Sequence, residues 1–291
     1  MTVRAAGLPC PIARPPRITF VRFTVALALV LMASSWLFVL VLDPSYSHAF
    51  FSAETASRAW SFLKELLGVG TNTTPAYLRA SAWASTGRLA LDTLAMSVLA
   101  VAFAVAGALV TFIFAARNVM VGDLAPYGSR TWGAWLFTIR FIYAVTRSVP
   151  ELVWAMLLVF VLAPGILPGA VALAIHNFGI LGKLSAEVVE GMDERPSRAL
   201  RTAGAGWLKV MAYGVLPATL PRFVTYSFYR WEVIIRTTVV VGLVAAGGLG
   251  MEFRLSLSHF HYTNVTLLLV WYLLLVLAVD LASAGMRRLA R

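Results

Sequence analysis

Charge is scarce in this sequence. Only 13% of its 291 residues are Asp, Glu, Lys or Arg, while 60% are hydrophobic. A soluble domain carries about 25% charge and about 45–50% apolar residues. Half the usual charge leaves too little polar surface to cover a globule, which argues against a soluble enzyme, and the same numbers rule out a disordered chain. Cysteine is nearly absent as well. Cys10 stands alone, so an internal disulfide, a cysteine-based zinc site and an iron–sulfur ligand set are all ruled out. The G-x-x-x-x-G-K-[ST] phosphate loop is missing too. Its nearest approach, residues 177–184, has Asn177 where the first Gly belongs and Leu184 where Ser or Thr belongs. No H-E-x-x-H occurs, and Gly204-Ala205-Gly206 runs into Trp207-Leu208-Lys209, which is no dinucleotide fingerprint. His259 and His261 lie two apart without a third ligand and read as polar loop residues, so no metal is expected. If ATP is used, another chain binds it.

What the sequence has in abundance is apolar runs, and about 20 such residues cross a bilayer as a helix. Residues 24–42 carry no charge. They exceed a signal-peptide core, and Ser47-His48-Ala49 is a weak cleavage site, so they read as a retained helix. Residues 93–116 form the clearest span. Residues 152–163 are apolar but short, and need Val149-Pro150-Glu151 as a first turn. Residues 165–184 are interrupted by Pro168, His176, Asn177 and glycines. Residues 223–249 carry Glu232 and Arg236, and residues 265–284 carry only Asp280. These make six predicted spans. Residues 132–146 hold Arg140 and are too short to cross alone, so they read as an amphipathic lead into the third span.

The net charge is +11, and cytoplasmic loops collect Lys and Arg. With six spans and an inside N-terminus, every Lys and Arg lies inside or at the inner boundary except Arg58, Lys64, Arg79, Arg88 and Arg254. A seventh span at residues 132–146 would put the most basic loop outside. The basic balance is therefore topology, and a nucleic-acid partner loses its support. The predicted organisation is a cytoplasmic segment 1–23 and one six-helix membrane domain 24–291 with both termini cytoplasmic. The outer loop 43–88 holds an amphipathic helix at 54–67, with Trp60, Leu63 and Leu67 on one face against the membrane rim, and a turn at 71–75.

The cytoplasmic loop 185–222 is the most informative stretch. Pro196 suits a first helical position, with Asp193 and Glu194 at the positive end of a short helix over 197–203. Gly204-Ala205-Gly206 ends or bends it, 207–215 reads as a second helical stretch, and Leu216-Pro217 and Leu220-Pro221 close the loop before the fifth span. By itself this is a membrane-surface hairpin. It also resembles the EAA loop of ABC-importer permeases: Arg198-Ala199-Leu200, then Gly204, then Leu216-Pro217, with Arg198 where that family usually has Glu. Further blocks follow in order: Phe114-Ala115-Ala116-Arg117-Asn118, Arg147-Ser148-Val149-Pro150-Glu151-Leu152-Val153-Trp154, Gly179-Ile180-Leu181-Gly182-Lys183-Leu184, Tyr229-Arg230-Trp231-Glu232, and Ala246-Gly247-Gly248-Leu249-Gly250-Met251-Glu252. Together they resemble the permease subunit of phosphonate ABC transporters, whose relatives import phosphite and similar phosphorus oxyanions. The likeness covers residues 88–291 and weakens over 55–87.

The resemblance implies an all-α integral membrane fold of six transmembrane helices, a type I ABC-importer-like permease in the bacterial cytoplasmic membrane. Its coupling residues would be Arg198, Ala199, Leu200, Arg201, Gly204, Ala205, Trp207, Leu216 and Pro217. The implied partners are an ABC ATPase dimer that carries ATP and Mg, an external substrate-binding protein, membrane lipid and a second permease copy in a homodimer. This chain would hold no cofactor and do no covalent chemistry. The implied cargo is phosphonate, with phosphite or another phosphorus oxyanion as the alternative. The rival class is a secondary transporter or channel, which needs coupling ions or charge rings. Acidic residues deep in the spans are nearly absent, and that rival leaves the EAA-like loop unexplained. A membrane enzyme is weaker still, because no catalytic set appears.

Pathway residues remain open between two roles. Glu232 and Arg236 are four apart on one helix face, in a favourable order for an ion pair. That pair either anchors the fifth span near the inner surface, or Arg236 with Thr237 and Thr238 attracts an anionic cargo. His176 and Asn177 either line the pathway or hold helices together. Glu151 suits a helix start, and Asp280 is expected to pair with Arg287 or Arg288.

Overall fold

The computed structural model describes residues 20–42, 52–70, 74–125 and 130–289. Cys10, Arg4, Arg14, Arg17, Arg291 and residues 71–73 of the expected 71–75 turn lie outside the described residues, as do 1–19 of the N-terminal segment and 43–51 of the outer loop. The described residues are helical and contain no strand. Two compact units, Met1–Leu63 and Lys64–Arg291, make up the chain.

The first unit contains α1 (Phe20–Leu42) and most of α2 (Ala53–Leu66). α2 falls within a residue of the expected amphipathic helix, and an i,i+4 pair of Glu54 and Arg58 supports its first turns.

In the second unit, α3 (Ala80–Thr111) starts well before the expected 93–116. An alanine-rich run carries the helix through Arg88 and Asp92, since Ala is the best helix former. Met96, Ala100, Ala104 and Ala108 are buried at four-residue spacing, a narrow seam against the neighbouring helices. A short α4 (Arg117–Met120) leads to α5 (Arg130–Ser148), α6 (Glu151–Leu162) and α7 (Ile166–Glu190). α5 and α6 meet at 91°. Pro150 makes the corner, being unable to donate to the preceding turn. Residues 132–146 thus form a complete helix on one arm of a bent pair. Three contacts bolt the corner. His176 Nδ1 lies 2.9 Å from the Val149 carbonyl, Trp154 Nε1 donates to the Thr146 carbonyl at 3.2 Å, and His176 Nε2 sits 3.3 Å from Glu151 Oε2.

α7 lies close against α5 because Gly179 and Gly182 have no side chains. A Cβ at Gly182 would fall on the Tyr143 ring, and one at Gly179 on the Thr146 hydroxyl. α8 (Arg195–Thr202) and α9 (Trp207–Val210) follow, then a π-turn (Met211–Val215) that runs into α10 (Leu216–Val241). The Leu-Pro pairs do not close the loop. Both prolines lie within a continuous helical run, Pro217 in the first turn of α10 and Pro221 inside the helix. A second π-turn (Gly242–Ala246) and Gly247, at φ +89°, turn the chain into α11 (Gly248–Ser258), and α12 (Tyr262–Leu289) ends it.

Among the described residues, four helices are long and apolar enough to cross a membrane, or up to six if each bent pair, α5 with α6 and the α9–α10 run with α11, is one span. The core is divided along the bundle. One cluster joins Phe112, Val119, Leu124, Leu181, Val210 and Phe223 beneath the α8–α9 loop, with the Phe112 and Phe223 rings stacked 5.3 Å apart.

Candidate functional site

The loop between α7 and α10 is shorter than the expected 185–222, because both helices extend into it. Its first element, α8, presents Arg195, Pro196, Arg198, Ala199 and Thr202 outward and buries Ser197. Ser197 fits because Gly214 faces it. A Cβ at position 214 would stand 2.6 Å from the Ser197 Oγ. Gly204 follows at φ +85°, in the left-handed region that favours glycine, and a Cβ there would meet open space. The Gly204 and Ala205 amides close the turn onto the Arg201 and Leu200 carbonyls, both at 3.0 Å. Trp207 then anchors α9 against the rings of Trp132 and Phe114, with centroids 5.9 and 6.1 Å away. Leu124, Arg201, Gly204, Ala205 and Trp207 line a cleft of about 340 Å³.

The departure at Arg198 has a local partner set. Arg198 Nη2 sits 2.8 Å from Glu194 Oε2 and 2.5 Å from Asp123 Oδ2. The neighbouring Arg201 donates to the Asp123 carbonyl. The Asn118 amide donates to Glu194 Oε1 at 3.0 Å and to the Val189 carbonyl at 2.9 Å. Glu190, the last residue of α7, accepts from the Arg117 backbone N–H at 2.7 Å and from Arg140. The α8 loop is thereby tied to the segment between α3 and α5. Hydrogen bonds from Arg198, then from Asn118, hold the Glu194 carboxyl below the usual glutamate range against the opposing effect of burial. In return Glu194, then Asp123, raise the Arg198 pKa. Sequence reasoning missed Asp123 and Glu190 and gave Asn118 only as part of a motif block. The signal pointing to Asp123 was Arg198 itself, a cation needing an acidic neighbour.

The pathway candidates fall into two groups. Glu232 and Arg236 share a face of α10, but they do not pair with each other. Arg236 Nη2 donates to both carboxylate oxygens of Asp280, at 2.7 and 2.9 Å, and Glu232 accepts from Arg287. Arg287 also donates to Ser283 Oγ at 2.7 Å. The expected Asp280–Arg287 or Asp280–Arg288 pair is replaced as well. α12 packs along α10, so each acid meets the arginine across the interface rather than one on its own helix. Thr237 and Thr238 turn their hydroxyls back to the Ile234 carbonyl, at 3.2 and 2.6 Å. The second group lies between α7 and α10. Asn177 is buried, its Nδ2 donates to the Leu173 carbonyl at 2.7 Å, and its Oδ1 accepts from Arg230 Nε at 2.9 Å. His176, the next residue, meets Glu151 as described above. Arg230 appeared in the sequence only as part of a motif block. Among the described residues no group of three or more His, Cys, Asp or Glu is placed to hold a metal ion.

Residues 127–290 match the family described as the binding-protein-dependent transport system inner membrane component. A phosphite transport system permease protein of Stutzerimonas stutzeri is 38% identical over 198 residues, covering 68% of each chain. A phosphate-import permease protein of Mycolicibacterium smegmatis is 33% identical over 198 residues, which are 68% of this chain and 35% of that one. Among solved structures, the inward-facing MetNI methionine ABC transporter aligns over 70% of this chain and 95% of its own, with TM-score 0.57 and 20% identity, a likeness of fold alone.

Proposed function

We infer that this chain, which belongs to the family of binding-protein-dependent transport system inner membrane components, is the permease subunit of an ATP-driven importer of a phosphorus oxyanion. It is a multi-pass membrane protein of the ABC-importer permease fold. The matched family is that of the membrane component rather than of an ATPase. The observation that carries the cargo reading is the 38% identity to a phosphite permease over 198 residues. It favours phosphite or another phosphorus oxyanion over the phosphonate that the sequence motifs first suggested.

In this reading six spans place both termini in the cytoplasm, and two copies of the chain form the pathway. An external binding protein delivers the oxyanion. Two ATPase subunits, which carry ATP and Mg, receive α8 and the Gly204 turn in a surface groove. The coupling residues are Arg198, Ala199, Leu200, Arg201, Gly204, Ala205 and Trp207, with Leu216 and Pro217 where the loop enters α10. ATP-driven closure of the ATPases then displaces α8. The displacement reaches α3 and α5 through Arg198–Asp123, Asn118–Glu194 and Arg140–Glu190. Inward- and outward-open states differ in how tightly they hold nucleotide and binding protein, and that differential binding drives the exchange. His176 and Asn177 belong to the pathway, while Glu232 and Arg236 fasten α10 to α12.

The test is ATP hydrolysis by the assembled complex in lipid, with its ATPase and binding protein, in the presence of phosphite, methylphosphonate or phosphate at equal concentration. Stimulation by phosphite above methylphosphonate is the expected result. Stimulation by none of the three, in a complex that hydrolyses ATP, removes the oxyanion assignment.

A further inference from the structure

The four arginines Arg140, Arg230, Arg236 and Arg287 sit between helices of the second unit, and three of them meet a carboxylate. Arg140 pairs with Glu190, Arg236 with Asp280 and Arg287 with Glu232. Arg230 is the exception. Two of its N–H groups, on Nε and Nη2, go to the neutral Oδ1 of Asn177, and it forms no ion pair among the described residues. Its place is also different. Asn177 lies near mid-length of α7, a helix of 25 residues, about 17 Å from the start of that helix. Arg230 is only half-buried there. An arginine at that depth does not face lipid; it faces protein or a water-filled route.

We propose that Arg230, aimed by Asn177, is the cation that receives the phosphorus oxyanion on its way through the membrane. The proposal rests on the reading of the cargo as a phosphorus oxyanion. A guanidinium has five N–H donors in a planar fork, and Asn177 uses two of them. The rest remain for the bidentate grip that suits an oxyanion. Asn177 cannot swing away, because its Nδ2 is tied to the Leu173 carbonyl at 2.7 Å. A neutral partner fixes the direction of the cation without cancelling its charge, which the three carboxylate pairs do for the other arginines. The close contact of the Glu151 carboxylate is with His176 rather than Arg230. A transit site also has to bind loosely enough to release its cargo.

The experiment uses the complete complex in liposomes, with ATPase and binding protein, and measures uptake of phosphite, methylphosphonate and phosphate. Asn177→Asp keeps the shape of the side chain but gives Arg230 a fixed anion. It is expected to assemble and to lose about tenfold or more in uptake. Arg230→Gln is expected to lose as much, and Arg230→Lys to keep part of the uptake as a point charge without the fork. A purely structural arginine predicts the reverse for Asn177→Asp, since an ion pair would hold α7 to α10 at least as well as the amide. Native-like uptake by Asn177→Asp overturns the proposal, and it decides the matter even where Arg230→Gln fails to assemble. Native complex that imports none of the three while hydrolysing ATP overturns the cargo reading, and this proposal with it.

Discussion

Arg198 is a single residue with consequences on two segments. Glu194 and Asp123 hold it from different parts of the chain, so it ties α8 to the α4–α5 connection. Because the Glu194 carboxyl is held low by Arg198 and Asn118, its stabilising effect is complete above the ordinary glutamate range, about 4.3. The effect is lost as pH falls through the depressed value. Limited proteolysis of the loop should therefore accelerate on acidification in the native chain. In Glu194→Gln it should be fast at neutral pH and insensitive to that titration; an unchanged acid response in that variant would refute the brace. Arg236 gives a second prediction at this scale. Arg236→Ala and Asp280→Asn should each lower the thermal stability of the detergent-solubilised protein, and the double variant should cost much less than the sum, because one contact is being removed twice. Additive losses would mean that the two side chains act independently.

The element scale shows what the sequence made legible and what it did not. The short helix, the glycine turn and the second helical stretch were predicted at 197–203, Gly204 and 207–215. They stand at Arg195–Thr202, Gly204 and Trp207–Val210 with its π-turn. Local rules suffice there: proline in a first turn, glycine where φ is positive, an apolar face beneath. The 91° corner was not legible. Pro150 marks a break, but its angle is fixed by Trp154 reaching back to Thr146 and by His176, whose contacts form only once α7 is in place. The ion pairs escaped for the same reason. Periodicity pairs Glu232 with Arg236 on one helix, whereas the partner across α12 is fixed by packing. The missing side chain at Gly182 belongs to this scale too. Gly182→Val should force α7 from the Tyr143 ring and cost about 2 kcal/mol, seen as a lower melting temperature; an unaltered melting curve would show that the helices have slack. At the turn, Gly204→Asp adds a charge in open space and strain of about 1 kcal/mol at positive φ. It should leave membrane insertion intact while the ATPase no longer co-purifies. Normal co-purification and uptake would remove α8 from the docking surface.

For the whole molecule the question is what drives the cargo across. No helix in the described residues carries a chain of acidic groups of the kind a proton relay uses, and the in-membrane acids Glu232 and Asp280 are committed to arginines. The loop that would receive force from an ATPase is instead braced to the segment between α3 and α5. The central claim is thus that import is powered through α8 by ATP and not by an ion gradient. The most direct measurement is uptake of phosphite into liposomes that hold the complete complex, with binding protein outside and ATP enclosed. The account predicts uptake that requires enclosed ATP, stops with Gly204→Asp and persists when proton and sodium gradients are collapsed. Uptake without ATP, driven by either gradient, would contradict it.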